Sequence, residues 1–509
     1  MKILISDKLA NEGVEILKNV KEFTVDCKYG LKPEELKAII KDYDALIVRS
    51  ATQVTAEIIE AASKLKVIGR AGVGLDNVDL PAATKKGIVA MNTPAGNTTS
   101  TAEHTISMIL ALSRNIPQAC ASIKAGKWER SKFEGVELYG KTLGVVGLGR
   151  IGSTVAKFAQ SFGMKVVVFD PYLSMEAASK LGVEMVEFQS LIAGADYITI
   201  HIPKTAETSS LIGDKEFERM KKNVRLVNCA RGGIIDEQAL IRALETKKIA
   251  GCALDVYEVE PPDFTSPLFK FDNCICTPHL GASTSEAQVN VAVEVAESVR
   301  DALLGKGIVN AANFPSVNAE AYRILEPYIN LATRIGKFAG QLVQGRVSEI
   351  KISYSGIVTQ YKVAPVTLSA IYGILSPIMG ETVNFINAID LAKERAINVQ
   401  EIISSTEEEF VNCIKLELKS DKENFSVWGT LSGNKKPRVV KINDVYVEAV
   451  PEGYIIFINN NDKPGLVGAI GTILGQMKVN IAAISLGREA ESGVAISVVN
   501  VDNAVSEEI

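Results

Sequence analysis

The stretch Lys141–Gly152, KTLGVVGLGRIG, limits what this chain can fold into more than any other, because an apolar strand runs directly into Gly147-x-Gly149-x-x-Gly152 and then into a helical pattern. Gly147 permits a tight turn and Gly149 lets backbone approach a pyrophosphate. Gly152 lets the helix, whose N-terminal dipole favours anions, pack close to the strand. The next strand, Lys165–Asp170, ends in a carboxylate, about 20 residues past the triplet as a ribose-binding acid should be. A carboxylate there accepts from both hydroxyls of an adenosine ribose and repels a 2′-phosphate, so the pattern predicts NAD rather than NADP. A lone glycine triplet is commonly an ordinary turn; strand, triplet, helix, strand and acid in this order is a far narrower signal.

At 509 residues the chain exceeds a single hydrophobic core, and about three or four domains are expected. The first three hundred residues alternate strand-like and helical runs, which predicts parallel sheets with crossover helices. Lys2–Ser6, Phe23–Cys27, Ala45–Val48, Val67–Gly69 and Ile88–Asn92 read as the strands of a first α/β lobe. A long helix from Thr98, opening on hydroxyl caps, is expected to cross between lobes. The second lobe takes its strands from Leu143–Val146, Lys165–Asp170, Tyr197–Ile200, Arg225–Asn228, Ala250–Leu254 and Ile275–Thr277. After a further helix, Ser285–Leu304, the run Asn310–Pro315 reads as the best linker in the chain. A mixed segment with helices near Ala319–Gln344 and Ala364–Met379 follows. A last segment from about Glu452 reads strand, turn (Asn459–Gly465), helix, strand, strand, and is expected to be an incomplete βαββαβ unit.

Hydrophobic residues at 47% and charged residues at 23% describe a globular chain. No apolar run spans a bilayer and Met1–Asp7 reads as a strand rather than a signal peptide, so no membrane partner is expected and the cytoplasm is the expected compartment. A net charge of −5, with no basic block, argues against nucleic acid, and an anionic substrate would need local arginines. The seven cysteines include no Cys-x-x-Cys pair, so reduced thiols and no metal site are expected.

Three points beyond strand ends can converge on one substrate carbon: Asn228-Cys-Ala-Arg231-Gly-Gly, Asp255-Val-Tyr-Glu-Val-Glu260-Pro-Pro and Thr277-Pro-His279-Leu-Gly-Ala-Ser. Ligands of open parallel sheets bind beyond the carboxyl ends of the strands, so all three can face one crevice. Oxidising a hydroxy acid needs a base for the hydroxyl proton, which suits His279, and a cation for the carboxylate, which suits the fork of Arg231. Glu260, bonded to the imidazole, would hold its tautomer and favour its cation. The duller alternatives are a surface arginine, a solvated loop acid and a satisfied core histidine. His104 reads as packing inside the long helix, and His201 follows a strand near the expected cofactor.

GLGRIG with Asp170, NCARGG, the Glu260-Pro-Pro turn and TPHLGAST together resemble the D-2-hydroxyacid dehydrogenase family. The marks Val48-Arg49-Ser50, Arg70–Asn77, Asn92–Asn97 and Gly126–Arg130 resemble the long-form branch that acts on 3-phosphoglycerate at the entry to serine biosynthesis. The resemblance implies two Rossmann-like or flavodoxin-like parallel-sheet lobes, then an α+β intervening domain and an α+β ACT-like domain. Its domain bounds are 1–97 with 287–310 for the substrate lobe, 98–286 for the NAD lobe, 316–441 for the intervening domain and 452–509 for the ACT-like domain. It implies NAD-dependent oxidation of 3-phosphoglycerate to 3-phosphohydroxypyruvate by Arg231, Glu260 and His279. Gly147, Gly149, Arg150, Ile151, Gly152, Asp170, Ile202, Cys229, Ala230, Asp255, Gly281 and Ala282 would contact the cofactor. Arg49, Ser50, Arg70, Gly72, Val73 and Asn97 would contact the substrate, and Arg130 would reach across from a neighbouring subunit of a homodimer or homotetramer. Serine is the implied effector, at Asn460, Asp462 and Asn480. Two alternatives stand beside this: another 2-hydroxyacid dehydrogenase, such as a glyoxylate or hydroxypyruvate reductase, and an NAD-binding corepressor-like scaffold.

Overall fold

The computed structural model describes residues 1–315, 317, 319–404, 410, 412–433, 435–461, 463–488 and 493–505. In the first lobe, β1 (Lys2–Ile5), β2 (Thr24–Cys27), β3 (Ala45–Val48), β4 (Val67–Arg70) and β5 (Val89–Met91) form a parallel sheet in the order β2-β1-β3-β4-β5. β3 and β5 are buried throughout. Covered on both faces by helices, such strands read as continuous apolar runs rather than alternating ones.

The second lobe holds β6 (Thr142–Val146), β7 (Lys165–Phe169), β8 (Glu184–Met185), β9 (Tyr197–Ile200), β10 (Arg225–Asn228), β11 (Gly251–Leu254) and β12 (Cys274–Cys276). All seven are parallel, in the order β12-β11-β10-β9-β6-β7-β8. The order reverses between β6 and β9, so the glycine loop after β6 opens on the switch point where ligands of such sheets bind.

Two helices tie the lobes together. Thr98–Arg114 buries Ala102, Ile106, Ile109 and Leu112 in the second lobe's core. Its N-cap is Asn97, and no side chain caps it by hydrogen bond, in place of the hydroxyl caps expected. Ser100 Oγ meets Thr284 Oγ1 at 2.7 Å instead, at the start of the helix Ser285–Leu303. That helix returns to the first lobe, where Val291, Val295 and Val299 join Ile3, Ile47 and Val67 in one core.

The run 310–315 is not a free tether. Asn310 O accepts from Asn92 N at 3.0 Å, Ala312 N donates to Ala90 O at 2.8 Å, and Ala311 bridges Met91 antiparallel. Asn313 Oδ1 accepts from Ala90 N at 2.9 Å while its Nδ2 donates to Ile88 O at 2.8 Å. The unpaired edge of β5 claims the segment, because buried backbone groups need partners.

Beyond it, β13 (Val347–Ser355), β14 (Asn398–Ile403), β15 (Cys413–Ser420), β16 (Asn424–Ser432), β17 (Lys436–Ile442) and β18 (Val445–Ala449) form a mixed sheet in the order β14-β13-β15-β16-β17-β18, backed by the helices Ala319–Leu342 and Ala364–Met379. The expected limit at 441 cuts through β17. A turn at Asn443, with φ 49°, folds β18 back onto the sheet and carries the unit to Ala449. The last unit is an antiparallel sheet of β19 (Tyr454–Asn461), β20 (Ile481–Arg488) and β21 (Val494–Val501), ordered β19-β21-β20, with the helix Leu466–Gln476 on one face. Asn459 and Asn460 belong to β19, paired with Ile496 and Ala495, rather than to a turn; ladder pairing overrides the turn preference of asparagine. Among the described residues no helix is long and apolar enough to cross a membrane.

Asn313→Ala strips the Ala90 N–H on β5 and the Ile88 carbonyl just before it of their partners, so it is expected to cost about 1–3 kcal/mol. A lowered midpoint in urea unfolding checks this, and an unchanged midpoint contradicts it.

Candidate active site

The glycine loop shows three different needs at three positions. Gly147 has φ 91°, a left-handed conformation that side chains disfavour. A Cβ on Gly152 would collide with the Gly147 carbonyl, so the helix Arg150–Ser161 can seat against the strand only without one. A Cβ on Gly149 would meet nothing within 4 Å, which leaves open space beside the helix N-terminus. Asp170 closes the loop from the end of β7: its Oδ2 accepts from Leu148 N at 2.8 Å and its Oδ1 from Tyr172 N at 2.9 Å. These features fit a dinucleotide, with its pyrophosphate at Gly149 and its adenosine ribose at Asp170.

That open space is one side of a cavity of about 640 Å³ between the lobes. Of the expected cofactor residues, Gly149, Arg150, Ile151, Ile202, Cys229, Ala230, Gly281 and Ala282 line it; Gly147, Gly152 and Asp170 do not. Asp255 does not reach the surface at all. It is fully buried, and its oxygens are taken by Thr277 Oγ1 (2.6 Å), Leu280 N (2.7 Å) and Gly281 N (2.8 Å). Burial pushes the Cys229 thiol up to about 12, aided by the charge of Asp255, so it is not a nucleophile. Burial alone holds His201, which also lines the cavity, neutral at about 3.

The three catalytic candidates come from adjacent strands. Arg231 and His279 line the same cavity, and Glu260 Oε2 lies 2.7 Å from His279 Nδ1. Glu260 Oε1 accepts from Tyr257 N at 3.2 Å. Burial of Glu260 opposes its ionisation, but the bond and charge of His279 outweigh it, so the carboxyl lies below its ordinary value of 4.5. Because that folded value is depressed, the pair's contribution to stability is complete above 4.5 and is lost as pH falls through the lower value. With Nδ1 committed to Glu260, Nε2 is left to exchange a proton with a ligand.

Arg231 Nε donates to Asp76 Oδ2 at 3.1 Å and its Nη1 to Ala230 O at 2.7 Å. Asn228 folds this turn by donating to Arg231 O (2.8 Å) and accepting from Ala230 N (3.0 Å). A Cβ on Gly232 would overlap the Tyr257 carbonyl, so the arginine and glutamate loops touch backbone to backbone there.

Of the expected substrate residues, Val73 and Asn97 line the cavity. Asn97 Oδ1 is buried with no hydrogen-bond partner among the described residues, as are Arg49 Nε and Arg70 Nε. Burial, with the charges of Arg231 and Arg49 and against that of Asp76, brings the Arg70 guanidinium down to about 10, still a cation at neutral pH. Three crowded guanidinium groups favour an anion between them. Arg70 packs against Gly72, where a Cβ would strike it. Ser50 is exposed, and Arg130, on an exposed turn at Arg130–Phe133, does not line the crevice. In the last unit, both amide atoms of Asn460 are buried without a partner among the described residues, Asn480 Nδ2 donates to Asp502 Oδ2 at 2.8 Å, and Asp462 lies outside the described residues. Sequence reasoning missed Asp76 as the partner of Arg231 and assigned no role to Asn228, Thr277 or Gly232. The motifs containing them were legible, but their pairings through space were not.

His279→Gln is expected to lower kcat by about 10²–10⁴, and Glu260→Gln to lower it with the fold retained, because a carboxamide can present an N–H to Nδ1 and hold the wrong tautomer. Steady-state rates alongside circular dichroism check both; a wild-type kcat in either variant contradicts the pairing.

Comparison with known proteins finds three domain matches and full-length relatives. Residues 106–281 match the NAD binding domain of the D-isomer specific 2-hydroxyacid dehydrogenases, residues 324–443 the D-3-phosphoglycerate dehydrogenase intervening domain, and residues 454–509 the ACT domain. The chain is 45% identical to the D-3-phosphoglycerate dehydrogenase of Synechocystis, covering 99% of this chain and 90% of that one. It is 45% identical to the enzyme of that name from Methanocaldococcus jannaschii, covering 100% and 96%. Among solved structures, D-lactate dehydrogenase from Aquifex aeolicus, complexed with NAD and lactic acid, matches at 29% identity and a TM-score of 0.55, covering 60% of this chain and 96% of that one.

Proposed function

This chain belongs to the D-3-phosphoglycerate dehydrogenase family of the D-isomer specific 2-hydroxyacid dehydrogenases, and we propose that it oxidises the 2-hydroxyl of D-3-phosphoglycerate to give 3-phosphohydroxypyruvate with NAD, the first step of phosphorylated serine biosynthesis. The observation that carries the reading is the His279–Glu260 pair opening with Arg231 into the cavity that begins at Gly149. NAD, when bound, supplies the hydride acceptor; Gly149, Arg150 and Ile151 would hold its pyrophosphate and Asp170 its ribose. Arg231 grips the substrate carboxylate with its planar fork, giving up its exposed bond to Asp76 as the acid enters. Nε2 of His279 takes the hydroxyl proton, and Glu260 stabilises the imidazolium that results. Arg49 and Arg70 meet the phosphate.

An oligomer completes this reading. Arg130 follows two residues after Trp128, which is 84% exposed, and the preceding helix exposes Ile123. That apolar surface supports a dimer or tetramer in which Arg130 serves a neighbour's crevice. Seven free thiols fit the cytoplasm. Serine is proposed to bind the ACT unit, where the Asn460 amide, buried and without a partner among the described residues, would take a polar ligand. It would act by preferring one arrangement of the lobes rather than by filling the crevice. One contact between the crevice lobe and the intervening unit supports this: the short helix Leu80–Lys86 lines the crevice at Leu80, and its Lys85 O accepts from Asn387 of the intervening unit at 3.1 Å.

Absorbance at the nicotinamide band, with phosphoglycerate and unphosphorylated 2-hydroxy acids, NAD and NADP, with and without serine, tests the reading. Expected are turnover with NAD and phosphoglycerate, and a KM for phosphoglycerate raised roughly tenfold or more by Arg70→Ala. Equal activity on glycolate or lactate, insensitive to Arg49→Ala and Arg70→Ala, would favour a different 2-hydroxy acid, and no turnover at all would favour a scaffold. Serine is expected to lower kcat; inhibition purely competitive with phosphoglycerate would contradict the two-arrangement account.

A further inference from the structure

His104 reads from sequence as a packing residue in the crossing helix, yet its imidazole reaches the loop that carries His279. Its Nε2 lies 3.2 Å from Asp255 Oδ1 and 3.3 Å from Thr277 Oγ1. Asp255 is a fully buried carboxylate, and among the described residues it has no lysine or arginine within ion-pair distance; His104 is its one basic neighbour there. A buried carboxylate without a donor or counter-charge is costly.

What Asp255 grips explains why that matters. Its side chain accepts from Thr277 Oγ1, Leu280 N and Gly281 N, and its own carbonyl accepts from His279 N at 2.9 Å. The grip therefore falls on both sides of His279, whose φ of 54° is a left-handed conformation that costs a non-glycine residue free energy and persists only where neighbours impose it. With His104 Nε2 beside Thr277 Oγ1, Leu280 N and Gly281 N, four donors face the carboxylate, which only an ionised group can accept at once; a protonated one would turn an acceptor into a donor and release part of the loop. Burial works against ionisation, while the bonds from His104, Thr277 and Leu280 N prevail and keep Asp255 below its ordinary value.

We propose that His104 is a positioning residue for the proposed reaction: by donating to Asp255 from the crossing helix, it fixes the carboxylate that holds His279 in its left-handed conformation facing Glu260. The inference rests on the dehydrogenase reading for its kinetic consequence, but not for its structural one. In the bland alternative, His104 merely fills space between the helix and the loop. An apolar residue of similar size would then serve equally well.

The test compares the full chain with His104→Leu, which fills the space without a donor, and His104→Gln, which restores an N–H. With chemistry slowed by a misplaced base and Arg231 untouched, His104→Leu is expected to lower kcat roughly tenfold to a hundredfold with KM for phosphoglycerate changed less than about threefold, and His104→Gln to recover most of it. The second readout does not need activity. The chain has three histidines, so the ring-proton resonance of His279 can be assigned by its loss in His279→Gln. It is expected to move in His104→Leu and to return in His104→Gln. Wild-type kcat and an unmoved resonance in His104→Leu overturn the proposal, as does a loss of kcat and melting temperature that glutamine does not repair. Should His104→Leu fail to fold, His104→Asn, whose amide is too short to reach, carries the same comparison. If the wild type turns over no hydroxy acid, the dehydrogenase reading fails, while the resonance still decides the role of His104.

Discussion

One contact organises the site: the backbone at Gly232 lies so close to the Tyr257 carbonyl that no side chain fits between them. It joins the turn after β10, which carries Arg231, to the turn after β11, which carries Glu260. Since β12 lies beside β11 in the sheet, the next turn brings His279 to Glu260 in the same way. Three neighbouring parallel strands thus deliver guanidinium, carboxylate and imidazole to one gap, and the parallel order of the sheet is the reason. An antiparallel sheet would send alternate loops to the opposite edge.

The lobes are held by weaker means. The Arg231–Asp76 pair links the substrate lobe to the NAD lobe, but its members are 26% and 64% exposed. Such a pair contributes about 1 kcal/mol or less, so a substrate carboxylate can take its place without large loss. The burdens of stability fall instead on the helices Thr98–Arg114 and Ser285–Leu303, whose apolar faces join the two cores. A firm frame with a readily exchanged ion pair at its mouth suits a crevice that must admit and release its ligands.

Much of this was legible in the sequence where the signal is local. The glycine spacing, Asp170, and the order of Arg231, Glu260 and His279 after apolar runs all follow from chain-local pattern. That Arg231 and His279 meet at one cavity, with Glu260 bonded to His279, follows from the rule for open parallel sheets. What escaped is nonlocal. Asp76 meets Arg231 across 155 positions and His104 reaches Thr277 across 173, and neither pairing leaves a trace in spacing. Asp255 was expected at the cofactor; full burial and three donors commit it to the His279 loop. Asn310–Pro315 has a linker's composition, and only the open edge of β5 explains why it is pinned. Asn460 has a turn's composition, and only the ladder with β21 explains why it is a strand residue.

The account stands or falls on the contact between the arginine and glutamate turns, and kcat/KM of Gly232→Ala measures it most directly. The added methyl must push those turns apart, so a fall of roughly a hundredfold or more is expected, with the far-ultraviolet circular dichroism of the wild type retained. A folded Gly232→Ala protein working at the wild-type rate would show that Arg231 and the His279–Glu260 pair need not be held together, and would contradict the central claim.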